Sequence, residues 1–233
     1  MQKITTLLWD VDGTLLDFLA AERYGMVKCC REFGVEMDEE MLSVYSAINR
    51  SWWEKHERGE VTQKEVLTER LRELFALYGV TYEDYDGFNE RYQQALGEVA
   101  YPMEDSLRLF GELGKHFRQY LVTNGSREAQ EGKLRVSGLG RMADGVFISS
   151  VVGAQKPTKA FFDAVQASTH YLPEETMIIG DSLTSDMLGG NNAGICCCWY
   201  NPRGAVRKEG IRIDYELHSL WELPALLGVE CHA

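Results

Sequence analysis

Residues Ile4 to Trp9 form an apolar run that ends abruptly in Asp10-Val11-Asp12-Gly13-Thr14-Leu15. This junction constrains the fold more than any other stretch. A short apolar run bounded by a turn signal reads as a buried strand. Side chains two apart on an extended chain share a side, so Asp10 and Asp12 can face one pocket. Gly13 lets the backbone turn sharply and approach a ligand. Two acids held at the end of a buried strand repel each other, and a bound cation with an incoming anion would relieve that repulsion. A strand end closed by a turn-forming Asp-Gly is the plainer alternative.

After Leu16 the pattern turns helical and stays so to about residue 100. Leu19 to Phe33 has helical character and stops at Gly34. Asp38 is placed to cap a second helix, with Glu39 and Glu40 near its positive end. Met41, Leu42, Tyr45, Ile48 and Trp52 then recur at helical spacing. Thr62-Gln63-Lys64-Glu65 is a capping-box pattern, and a fourth helix is predicted over Tyr82 to Leu96. Helices without an intervening strand suggest a self-contained bundle.

From Pro102 helices and strands alternate. Predicted strands are Gln119–Thr123, Val146–Ser149, Met177–Gly180, Ile195–Trp199 and a last one near Arg212–Tyr215. The helices between them are predicted over Glu104–Leu113, Ser126–Ser137, Thr158–Ser168 and Thr184–Asn192, with another opened by Ser219-Leu220-Trp221-Glu222. Such alternation predicts an α/β fold, a Rossmann-like parallel sheet with helices on both faces. The first strand must join that sheet, so the helical block is an insertion. The expected division is a core of residues 1–16 and 101–233 and an inserted all-α bundle over 17–100.

Ligands of parallel α/β sheets bind at the carboxyl ends of the strands, and the polar clusters fall there. Thr123-Asn124-Gly125-Ser126 ends the second strand, where a hydroxyl, an amide and helix-opening N–H groups can hold a phosphate oxygen. Simple capping by Ser126 is the other use of the same residues. Gly153-Ala154-Gln155-Lys156-Pro157 follows the third strand. Lys156 precedes a proline and so is biased away from helix. It can neutralise a carboxylate and a phosphate, although most lysines are merely solvated. Gly180-Asp181 ends the fourth strand, and Asp186 follows five residues later at a helix start, where an Asp could also be only a cap.

These four clusters, in this order, resemble the four motifs of the haloacid dehalogenase (HAD)-like superfamily: Asp10-x-Asp12-Gly-Thr-Leu, Leu-Val-Thr123-Asn124-Gly, Lys156-Pro, and Gly-Asp181 with Asp186. The insertion lies where that superfamily carries a type-one cap. Leu16-Asp17-Phe18 and Met187 to Gly194 further resemble its pyrimidine 5'-nucleotidase branch. The resemblance implies a Mg²⁺-dependent phosphatase. Asp10 would be the nucleophile that forms an aspartyl-phosphate, and Asp12 the acid and base. Mg²⁺ would be held by Asp10, the Asp12 backbone carbonyl, Asp181 and, in support, Asp186. Thr123, Asn124 and Lys156 would hold the phosphoryl oxygens. Carbon–halogen hydrolases of the superfamily lack the second Asp of the first motif, so Asp12 disfavours that chemistry. A phosphosugar or phosphoglycolate phosphatase, a phosphomutase and a binding protein without turnover are the competing readings; the last predicts missing catalytic residues, and none is missing.

Composition bounds the partners. The formal net charge is -12, which argues against nucleic acid but not against a small phosphorylated metabolite such as a nucleotide. Exposed charges more than roughly 8–10 Å away are largely screened, so a local metal and lysine outweigh the distant field. No apolar run approaches the ~20 residues that cross a membrane, and no signal-peptide pattern follows Ile4–Trp9, so a cytoplasmic monomer or homodimer is expected. Six cysteines include Cys196-Cys197-Cys198 but no Cys-x-x-Cys pair, and they read as small apolar fillers in a reducing compartment. Trp52 and Trp53 point roughly 100° apart on a helix. Either one faces the cleft and stacks on a base, or both pack the bundle together with Tyr45 and Asn49.

Overall fold

The computed structural model describes residues 3–230; Cys231 lies outside them. Strands β1 (Thr6–Trp9), β2 (Arg118–Thr123), β3 (Gly145–Ile148), β4 (Thr176–Gly180), β5 (Cys196–Tyr200) and β6 (Tyr215–Leu217) form one sheet in the order β3-β2-β1-β4-β5-β6. All five pairings are parallel. The chain runs outward to one edge from β1, then returns to build the other half from β4. The crevice at the reversal, beyond the ends of β1, β2 and β4, is where such sheets bind ligands.

Alternation along each strand feeds two cores. Leu7, Trp9, Leu121, Ile179, Cys198 and Tyr200 point into one layer, where Leu109, Phe110 and Leu113 of α5 (Ser106–Leu113) pack on them. Leu8, Tyr120, Val122, Ile178, Cys197 and Trp199 point into the other, against Phe161, Phe162 and Val165 of α9 (Lys159–Thr169). Both faces are covered, which is why these strands read as continuous apolar runs. Four of the cysteines, Cys29, Cys30, Cys197 and Cys198, are buried, and burial pushes the Cys29 and Cys30 thiols up to about 12. Such thiols suit packing rather than ligation.

Helices α1 (Phe18–Glu32), α2 (Glu39–Glu57), α3 (Gln63–Leu77) and α4 (Tyr85–Leu96) intervene between β1 and α5 and share a third core around Tyr45, Leu71, Phe75, Phe88 and Tyr92. Asp38 caps α2 by accepting from Met41 N, and Thr62 and Glu65 form the full capping box of α3. The chain enters and leaves this helical unit side by side: Asp17 N donates to Tyr101 O at 2.7 Å and Met103 N to Leu15 O at 2.9 Å.

Several boundaries differ from those read in the sequence. The last strand is Tyr215–Leu217 rather than 212–215, because Ile211 and Ile213 pack beside the core while Asp214 donates its N–H to Cys197 O and accepts the Cys197 N–H on its carboxylate. Helix α4 starts at Tyr85, not Tyr82, since Asp84 caps it through Gly87 N and Tyr82 packs on Phe33 and Phe75. Helix α5 starts two residues after Glu104, because Glu104 and Asp105 take positive φ and the Glu104 carboxylate receives Tyr200 Oη and Leu220 N. Short helices α7 (Leu139–Met142) and α8 (Ser149–Val152) were not foreseen; α8 takes over Ser149, read as the end of β3.

Candidate active site

Asp10 continues the line of β1, donating its backbone N–H to Ile179 O at 2.9 Å, and its side chain is buried. One carboxylate oxygen accepts from Lys156 Nζ at 2.8 Å and the other from Thr14 Oγ1 at 3.0 Å. Thr14 Oγ1 in turn accepts the backbone N–H of Asp181 at 3.1 Å. Thr14 thus links the ends of β1 and β4, a role that went unassigned in the sequence although the residue belongs to the first motif. Gly13 has φ +89°, and a Cβ there would lie 2.5 Å from Asp181 Oδ2. The glycine therefore serves both the turn and the close approach of the Asp181 carboxylate.

Lys156 comes from the loop after β3 and is 1% exposed. Its ammonium donates to Asp10 Oδ1, to Asp186 Oδ1 at 2.6 Å and to Val122 O at 2.8 Å, so all three protons are used. Asn124 holds that loop: its amide N–H donates to Lys156 O at 2.7 Å, and its Oδ1 accepts from Lys156 N at 2.9 Å. The Asn124 side chain is thereby engaged with protein, while Thr123 is buried at the end of β2 on the cavity wall. Asp186 is reached through a wide π-helical turn over Leu183–Met187, which precedes α10 (Leu188–Ala193) and replaces the regular helix expected from Thr184. Asp186 and Met187 both donate backbone N–H groups to Ser182 O, and Asp186 Oδ2 accepts from Ser182 N at 3.1 Å. The irregular turn lays the carboxylate back against Lys156 rather than leaving it as a mere cap.

Asp10, Asp181 and Asp186 offer carboxylate oxygens that lie within 4.8 Å of one another. Burial raises the Asp10 carboxyl to about 7, with Lys156 opposing the rise and Asp186 adding to it. Enclosure in the cleft and the carboxylates of Asp10 and Asp186 push Asp181 well up, even though its side chain is open to the cavity. Lys156 is itself raised: burial works against its charge, but Asp10 and Asp186 outweigh it. Three acids against one ammonium leave a local excess of negative charge. A hard divalent cation with a preference for oxygen would relieve it, and the residues present fit Mg²⁺.

Asp12 stands apart. Its carboxylate accepts from Lys133 Nζ at 2.7 Å and from Gln130 Nε2 at 2.6 Å, both on α6 (Arg127–Ser137). Lys133 is 1% exposed. Neither residue stood out in the sequence, since an amide and an amine three apart on a helix carry no signature. The two acids of the first motif therefore line one cavity but meet different cations.

The helical unit roofs this floor. Trp53, Glu57, Arg70 and Gln93 line the same cavity, which has a volume of about 170 Å³. Contacts cross it: Thr184 Oγ1 donates to Glu57 at 2.5 Å, Gln155 Nε2 to His56 O at 3.0 Å, and Ser126 Oγ to Gln93 Oε1 at 2.7 Å. Burial pushes the Glu57 carboxyl up to about 7, Thr184 opposes the rise, and nearby Asp186 adds to it. Trp53 faces the cavity, whereas Trp52 packs on the helical core and donates to Glu73 at 2.8 Å. Tyr45 is core, and Asn49 is buried within the bundle.

This geometry, five parallel pairings with acidic and basic groups gathered at the crevice under a helical roof, defines a hydrolase of a known kind. The chain belongs to the haloacid dehalogenase-like hydrolase family, whose profile matches residues 4–194. It is 36% identical to the HAD-hydrolase YfnB of Bacillus subtilis over 99% of this chain and 98% of YfnB. It is 34% identical to the pyrimidine 5'-nucleotidase PynA of Streptococcus pneumoniae over 93% of this chain and 92% of PynA. A magnesium-bound orthorhombic crystal form of YfnB, which reveals interdomain movement in that protein, superposes with a TM-score of 0.93 at 35% identity, covering 97% of this chain and 100% of the other.

Proposed function

We propose that the protein is a Mg²⁺-dependent phosphomonoesterase that acts on nucleoside 5'-monophosphates, with pyrimidine nucleotides preferred. The observation that carries this reading is the separation of the two aspartates. Asp10 lies among Lys156, Asp181 and Asp186, while Asp12 is held by Lys133 and Gln130. In this reading one acid attacks phosphorus and the other handles the proton. The similarity to PynA supports the substrate class.

In this reading an Asp10 oxygen bonds to phosphorus as the bond to the leaving oxygen breaks, and Asp12 delivers a proton to that oxygen. Water then attacks phosphorus, its proton passes to the Asp12 carboxylate, and the Asp10–phosphorus bond breaks to release phosphate. Mg²⁺, held by Asp10, the Asp12 backbone carbonyl and Asp181 with Asp186 in support, would supply positive charge to the phosphoryl oxygens. Lys156 keeps Asp10 and Asp186 compensated and acts on the phosphoryl group through its charge, because its protons are taken by protein. Thr123 offers a hydroxyl at the same rim, and Asn124 fixes the Lys156 loop. Residues 17–100 act as the cap and residues 1–16 and 101–233 as the catalytic core. A cavity of about 170 Å³ is smaller than the usual ligand site of about 300–1,000 Å³, so substrate entry requires the cap to lift.

The same small volume also favours a second reading, a phosphosugar phosphatase or mutase. Initial rates on UMP, dTMP, ribose 5-phosphate and phosphoglycolate, with and without chelator, separate the two. Chelator-sensitive phosphate release with UMP or dTMP leading in kcat/KM supports the nucleotidase; a lead for a phosphosugar replaces it.

A further inference from the structure

Arg70 of α3 is 1% exposed and lines the catalytic cavity. It makes no ion pair among the described residues. Its Nη1 donates to Asn49 Oδ1 at 2.6 Å and its Nη2 to Asn89 Oδ1 at 3.2 Å, both neutral amide oxygens. Its Nε has no hydrogen-bond partner. The guanidinium lies 5.2 Å from the ring centroid of Tyr92. A buried arginine answered by only two amide oxygens, with its Nε N–H unmade, is costly. Its place on the cavity wall supplies a reason for it.

A phosphate seated over Asp10 must send its leaving group away from the sheet, toward the helices. Arg70 stands on that side. Behind it, Asn49 Nδ2 donates to Glu22 Oε1 at 2.7 Å, so a carboxyl group lies one amide away from the guanidinium. An incoming anion would meet Glu22 as well as Arg70. A neutral carbonyl oxygen can accept from the guanidinium without that opposition.

We propose that Arg70 determines specificity by donating to a carbonyl oxygen of the leaving group, a ring carbonyl when the substrate is a pyrimidine nucleotide. This rests on the nucleotidase reading and names the group that reads the base. The competing role is structural, an arginine that only ties α2, α3 and α4 together through Asn49 and Asn89.

The test compares kcat/KM for UMP, for its two analogues in which the 2- or the 4-carbonyl is replaced by hydrogen, and for ribose 5-phosphate, in the wild type and in Arg70→Met. In the wild type, one analogue is expected to fall about 10- to 100-fold below UMP, the range of a charged hydrogen bond. In Arg70→Met the UMP to ribose 5-phosphate ratio should fall by a similar factor, and the preference for UMP over that analogue should vanish. A purely structural arginine lowers all substrates together and leaves these ratios in place, which overturns the proposal. The wild-type comparison stands by itself if Arg70→Met does not fold: both analogues matching UMP overturns the proposal without any variant. A wild type that cleaves ribose 5-phosphate but no nucleotide refutes the nucleotidase reading, and the role of Arg70 falls with it. That result differs from a working nucleotidase whose ratios do not move.

Discussion

The rim of the sheet and the roof above it are built on different principles. On the rim, Lys156 spends every proton on Asp10, Asp186 and Val122 O, and Thr14 bonds to both Asp10 and the Asp181 backbone. Each group is fixed by two or more others, and breaking one such buried pair costs roughly 3–5 kcal/mol. On the roof, Arg70 keeps an unmade N–H, Glu57 is held by one threonine, and Trp53 simply faces the cavity. The rim is set for one reaction. The roof keeps free valences, which is what a surface that must recognise a variable leaving group requires.

The sharpest way to break this contrast is at the rim. Asp10→Asn should lower kcat by at least about 10⁴-fold, as loss of a nucleophile does elsewhere, while the protein stays folded by circular dichroism; retained turnover would remove Asp10 from the role of nucleophile. Metal comes next. Chelation should abolish phosphate release, and Mg²⁺ added back should restore it and raise Tm in a concentration-dependent way. A Tm that does not respond to Mg²⁺ would speak against the three-aspartate cluster as its site.

Lys133→Met tests the edge between rim and roof. It removes the hydrogen bond that orients the Asp12 side chain, so kcat on UMP should fall about 10- to 100-fold with little change in KM, within the range that general acid–base catalysis supplies. p-Nitrophenyl phosphate, whose leaving group needs no acid, should lose much less. Equal losses on both substrates would make Lys133 a folding element instead of a positioning residue.

The smallest effect belongs to Glu57. Its carboxyl is raised from 4.5 to about 7, so the folded protein holds that proton more tightly than the unfolded chain does. Its contribution to stability is full below about pH 4.5, declines as pH rises to about 7, and is level beyond. Glu57→Gln stays neutral throughout. Between pH 5 and pH 8, the Tm of metal-free Glu57→Gln should therefore gain on the wild type by about 2–4 °C, the response to roughly 1 kcal/mol in a chain of this size. A constant difference across that range would mean that Glu57 titrates normally.

Much of the rim was legible in the sequence. Apolar strands ending in Asp10, Thr123 and Asp181, with Lys156 in the loop after β3, place their side chains in one crevice, because a parallel sheet gathers its strand ends. The four helices were legible too, through spacing and the Asp38 and Thr62 caps. What could not be read were partners chosen by distance in space. Gln130 and Lys133 are ordinary helix residues until α6 lies beside Asp12. Arg70 is an ordinary arginine until α2 and α4 bring Asn49 and Asn89 to it.

By itself, then, the sequence determined the order of elements, the run of helices between β1 and β2 and the identity of the strand-end acids, since periodicity and turn chemistry act between near neighbours along the chain. Only the tertiary structure decided that Asp12 meets Lys133, that a π-turn returns Asp186 to Lys156, and that Glu57 and Arg70 look down on the floor. Those outcomes depend on how helices distant in sequence pack, and packing is set by the shape and charge of surfaces that no local pattern encodes.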